Sequence, residues 1–153
     1  MAIIQRINRS DAEKIYFIVL NTDAATLTTG MGACYLGGLA AEVASADGAS
    51  VTASTAGRWP GFIGVAKSNI PSNTPGLCIA FGVANSVMLS AEADKTVGLD
   101  AITYLGPSAL AGRFTSTLTA QAQSTLLFRY LYNLATTNIS GGINHTKAFV
   151  KAI

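Results

Sequence analysis

Residues 59–90, WPGFIGVAKSNIPSNTPGLCIAFGVANSVMLS, constrain the fold more than any other stretch of the chain. They predict two β-strands, over 62–66 and 77–89, joined by a connection rich in Ser, Asn, Pro and Gly. Pro71 and Pro75 fix φ and lack an N–H, so the residues between the apolar runs turn the chain instead of continuing a ladder. Leu77, Ile79, Phe81 and Val83 recur at every second position and share one face of the second strand, which the alternation predicts to be core. Gly82 lies inside that run, where a missing side chain marks a bulge or the close approach of another backbone. A bend is expected there.

Short apolar runs separated by turn signals continue on both sides. IYFIVL, residues 15–20, is apolar on both faces, which requires a central position or a covering surface. Residues 21–29, with Asn, Asp and four Thr, have the composition of a turn, and 31–36 return as a short strand. Residues 37–57 are rich in Ala, Ser and Gly and read as loop and edge strands with a hairpin signal at Asp47-Gly48, although 39–46 also suit a short helix. Further strands are expected over 101–105, stopped by Gly106-Pro107, over 126–134 and over 148–153, with 108–123 a long loop. The pattern is all-β: a small antiparallel β-barrel or sandwich with an extended N-terminal arm and little helix. Residues 1–14 form the arm and 15–153 a single β-rich domain, a size that buries a real core.

Only 12% of residues are charged, against roughly a quarter in an average soluble domain. Two explanations stand side by side: some apolar surface meets a partner, or Ala and Gly inflate the apolar count. The net charge of +2 comes without a block of like charge, which argues against nucleic acid. No apolar run approaches the roughly 18 residues of a membrane span, and charged residues stand where a signal peptide carries its apolar core, so a soluble, unexported protein is expected. Cys34 and Cys78 fit no metal-ligand spacing and read as free buried thiols ahead of a disulfide.

Catalytic constellations are absent from the sequence. His145 is the one histidine, and a triad needs a base beside its nucleophile. Glu92 and Asp94 flank Lys95 in a polar connection, unlike an acid–base pair in opposed environments. Gly30 and Gly32 begin a dinucleotide fingerprint but lack its third glycine and its helix. Trp59, Phe62, Phe81, Tyr130 and Tyr132 sit at strand spacing, which favours core over a stacking platform. No catalytic, cofactor or metal site is expected.

Several pieces of sequence, kept in order, carry a resemblance: NRSDAEKIYFIVLN from Asn8, TLTTGMGA from Thr26, PGFIGVA from Pro60, IPSNTPGL from Ile70 and FGVANSVMLS from Phe81. With them the chain resembles the head decoration proteins of tailed phages, also called capsid cement proteins. The resemblance implies a non-enzymatic virion protein, made in the host cytoplasm, that binds the outer surface of the icosahedral capsid and staples neighbouring major capsid subunits. It also implies a homo-oligomer, a trimer ahead of a dimer. The residues add candidate contacts. The arm concentrates charge at Arg6, Arg9, Asp11, Glu13 and Lys14, and Arg6, Asn8, Arg9 and Asp11 are the expected capsid contact. LLFRYLYNL puts Phe128, Tyr130 and Tyr132 on one face of a strand, the expected oligomer interface. The competing expectation is a carbohydrate-binding β-module displayed on a virion for host-surface attachment.

Overall fold

Strand β5, Pro75–Ser90, runs 16 residues and pairs with two different sets of neighbours along its length. The computed structural model describes residues 14–36, 49–90, 95–97, 104–108, 110–115, 130–133, 137–139 and 143–152. Along its first half, β5 lies beside β1, Ile15–Asn21, from Leu20↔Pro75 to Ile15↔Phe81, and beside β4, Phe62–Ala66, at Val65↔Ile79 and Ala66↔Cys78. β2, Gly32–Tyr35, and β3, Ser50–Ala53, complete a closed ring in the order β1-β3-β2-β4-β5 and back to β1. Along its second half β5 pairs with β11, Ile143–Lys151, from Lys151↔Phe81 to Ile143↔Ser90. β7, Tyr104–Pro107, β8, Phe114–Thr115, and β9, Tyr130–Asn133, extend this side as β5-β11-β9-β7-β8. This second ring closes through one pair, Leu89↔Phe114. β6, Lys95–Val97, and β10, Thr137–Ile139, make a separate two-stranded sheet.

The protein is therefore all-β: a closed five-stranded barrel with added strands, and one short 3-10 helix, Ala56–Gly61, among the described residues. Most pairings are antiparallel; β1–β3 and β5–β8 are parallel. β5 changes partners where the bend was expected, at Phe81 and Gly82, and Gly82 has φ of 106°. A side chain is strained in that left-handed region, so glycine lets the strand turn from one ring into the other. Gly64, at φ 147°, also needs to be glycine, because a Cβ there would run into the Ile79 carbonyl.

Two cores follow from this arrangement. The first ring encloses Val19, Leu27, Val51, Ile63, Ile70 and Cys78, with Phe17 packed against them. The second gathers Phe62, Val65, Val87, Leu89, Leu105 and Phe114. β4 contributes to both and is buried throughout, which explains why its sequence is apolar or glycine at every position. Trp59, Phe62 and Phe114 form an aromatic triad: Trp59 stacks on Phe62 at 4.6 Å, and Phe114 meets both edge-on at 6.1 and 6.0 Å. The first ring is tied at one end by polar groups. Buried Asn21 donates through Nδ2 to the carbonyls of Ala25 and Ile70, each at 2.9 Å, and accepts from the Asp23 N–H at 3.0 Å. Asp23 in turn accepts from the Thr52 hydroxyl and the Ala53 N–H, both at 2.6 Å.

Several expectations need correction. The face of Leu77, Phe81 and Val83 is half-buried, with only Ile79 fully in the core; the opposite face, Cys78, Ala80, Gly82 and Ala84, is the deeply buried one. Small side chains there let neighbouring strands approach closely, which alternation of hydrophobicity does not reveal. β3 is no edge strand but sits between β1 and β2. β7 runs through Gly106-Pro107, because Pro107 ends the strand, where a missing N–H is tolerated. β8 lies within the stretch read as loop, and β11 begins at Ile143, five residues before the expected start at 148.

Candidate functional surface on β1 and β5

The candidate chemistry of the sequence does not assemble. His145 accepts or donates through Nδ1 at 2.7 Å from the Ser86 hydroxyl, in an exposed position. No carboxylate completes a triad among the described residues: Asp23 is the one acidic residue there, and it is engaged by Thr52 and Ala53. Glu92 and Asp94 lie outside the described residues. The backbone N–H groups of Gly30 and Gly32 donate to Ala66 and Gly112 within the sheet, so no phosphate cradle is left there. Cys34 and Cys78 are buried thiols that take part in no disulfide. Burial pushes the Cys78 thiol up to about 12, which removes it as a nucleophile at ordinary pH. Among the described residues no three of His, Cys, Asp and Glu gather to hold a metal.

Of the expected contact residues, Arg6, Asn8, Arg9, Asp11 and Phe128 lie outside the described residues. Tyr130 and Tyr132 fall in β9, paired with Lys151 and Phe149 of β11, and Tyr132 also pairs with Tyr104 of β7. Trp59 and Phe62 are core, as strand spacing suggested, whereas Phe81 reaches the surface.

The surface that stands out is the outer face of β1. Alternation sends Phe17, Val19 and Asn21 inward and leaves Tyr16 and Ile18 outward. Ile18 is 75% exposed, Ile15 38% and Tyr16 37%. Among the described residues one other large apolar side chain, Leu110, is as open. The strip continues across the sheet, because Ile18 pairs with Leu77 and Ile15 with Phe81. Phe81 meets Phe149 edge-on at 5.2 Å, carrying the apolar surface on to β11. IYFIVL, apolar on both faces, calls for a cover on this side. β1 is central, with β3 on one side and β5 on the other, yet its outer face is bare.

Beside the strip lies a groove of about 230 Å³, lined by Lys14, Tyr16, Lys67, Val83, Asn85 and Ser86, with Ala66 and Ile79 at its base. The Lys67 ammonium sits 4.8 Å from the centroid of the Tyr16 ring, a cation–π contact. A β-bulge shapes one wall. The β5–β11 register shifts between Thr146↔Val87 and Ala148↔Ala84, so Asn85 and Ser86 together oppose Lys147. Sequence reading missed this groove, since its lysines, tyrosine and asparagine are brought together only by the ring closure of β1 and β4 onto β5.

No protein-family model matches the chain, and no curated protein or solved structure matches it either.

Proposed function

We propose that this protein is a head decoration, or cement, protein of a tailed phage, which binds the outer surface of the capsid and bridges neighbouring major capsid subunits without catalysis. One observation carries the reading beside the sequence resemblance. Three of the four exposed large apolar side chains among the described residues lie on β1, the strand that directly follows the charged arm. An exposed apolar strip on a rigid closed barrel is what a docking face requires, because large exposed apolar patches mark interaction sites and a barrel holds them without reorganisation. Burying one side chain such as Ile18 stabilises a contact by roughly 1.5–3 kcal/mol, modest for one copy. On a lattice of identical subunits, an oligomer engaging several such sites at once multiplies the effect through effective concentration. In this reading Arg6, Arg9 and Asp11 of the arm add charged contacts at the rim, with Asn8 a polar one beside them. Phe128, Tyr130 and Tyr132 join copies into a homo-oligomer, a trimer ahead of a dimer.

The test is cosedimentation of the purified protein with heads, stripped of native decoration, of the phage that encodes it. Saturable occupancy at a fixed ratio to the major capsid protein is expected. Absence of saturable binding, with retention on host glycans instead, would move the protein to the carbohydrate-binding class.

A further inference from the structure

The groove beside Tyr16 has a polarity that the apolar strip lacks. Lys14 and Lys67 are both exposed, and neither makes an ion pair with a described residue. Asn85, also exposed, stands on the bulge with its amide uncommitted, while the neighbouring Ser86 hydroxyl is held by His145. Two ammonium groups and an amide thus line a space that holds no carboxylate among the described residues and includes the apolar Ala66, Ile79 and Val83. At about 230 Å³ the groove is smaller than the roughly 300–1,000 Å³ that encloses a free small molecule. Its size suits one side chain of a larger partner. The Tyr16 ring already carries the Lys67 ammonium, so a sugar has no free platform on that face of the ring.

We infer that the groove is the receptor for an acidic residue on an extended segment of the partner protein, its carboxylate held between Lys14 and Lys67 and its stem on Val83 and Ile79. This rests on the docking role proposed above and names the partner's chemistry at one end of the strip. Charge complementarity selects the occupant. Lys14, Lys67 and Asn85 each offer an N–H donor to the groove and a carboxylate accepts from all three, while the Thr29 and Ser86 hydroxyls beside them are engaged by Asn69 and His145. Next to it, the apolar strip of Ile15, Tyr16 and Ile18 takes the partner's flanking apolar side chains. The carboxylate gives register and the strip gives area, the division of roles usual at interfaces.

The experiment uses the full chain and a capped hexapeptide with one glutamate between two phenylalanines, alongside its glutamine counterpart, and follows backbone amide shifts by NMR. The glutamate peptide is expected to shift the amides of Tyr16, Lys67, Asn85 and Ser86. Lys67→Ala or Lys14→Ala should weaken binding by roughly threefold each, and added salt should weaken it further, in keeping with exposed charge pairs. Equal shifts from the glutamine peptide, no shifts at millimolar peptide, or unaltered binding by both lysine variants would overturn the inference. So would shifts of these amides by neutral glycans, or by raising the protein concentration alone, which would assign the groove to a sugar or to a second copy of the chain. Because the readout does not use capsids, failure here leaves cosedimentation with heads free to stand, and failure of cosedimentation leaves the peptide result free to stand.

Discussion

The two rings that share β5 are closed by different means. The first is sealed by a long ladder, Leu20↔Pro75 through Ile15↔Phe81, and tied at its end by Asn21 and Asp23. The second is sealed by the single pair Leu89↔Phe114 and relies on the packing of Trp59, Phe62 and Phe114. Backbone hydrogen bonds fix a strand whatever its outward side chains are, so the first ring leaves the outer face of β1 free to carry Tyr16 and Ile18. The second ring has no such freedom, because the side chains that close it are its core.

The sharpest way to break this contrast is Phe114→Ala. It removes a fully buried aromatic from the triad and from the closing pair, and should cost about 3–5 kcal/mol. Chemical denaturation gives the magnitude, and hydrogen exchange gives the place. Amides of β7, β9 and β11 should lose protection before those of β1 and β3; uniform loss would mean that the rings are one cooperative unit.

Asn21→Ala probes the other closure. It removes one of the two donors to the Ile70 carbonyl, which keeps the Leu27 N–H, and frees the turn that Asn21 holds, for an expected loss of roughly 1–3 kcal/mol. A loss below about 0.5 kcal/mol, the range of ordinary surface changes, would show that the ladder alone seals the first ring.

A smaller effect comes from Cys78 inside the first ring. Burial pushes the folded thiol up to about 12, against 9.0 for an exposed thiol, so the folded state keeps a proton that the unfolded chain releases. Its contribution to stability is therefore complete below pH 9 and is lost as pH rises from 9 towards 12. Thermal midpoints over that window should fall more steeply for the wild type than for Cys78→Ala. Parallel curves would contradict the burial of the thiol.

Much of this architecture is legible in the sequence, and the illegible part has physical causes. Phe62–Ala66 is an uninterrupted apolar-and-glycine run, and it is a strand with those bounds. Pro71 and Gly82 mark a turn and a bend because each restricts or frees φ locally, whereas Pro75, expected in the turn, opens the β5 ladder opposite Leu20. The deeper face of β5 is not legible because both its faces are apolar, and only tertiary packing ranks them. β8, of two residues, carries no periodicity at all. The bare face of β1 was foreshadowed by Ile15 to Leu20, but the groove was not. Lys14, Lys67 and Asn85 become neighbours through pairings between distant strands, which no local pattern encodes.

The central claim is that the outer face of β1 serves docking and contributes little to the barrel. Ile18→Asp, at the most exposed of these positions, tests it when head occupancy and thermal midpoint are measured on the same preparation. The account predicts a midpoint near the wild-type value, with stability changed by less than about 0.5 kcal/mol, and occupancy lowered by at least about tenfold through a charge placed in an apolar contact. Full occupancy on heads with an unchanged midpoint would contradict it.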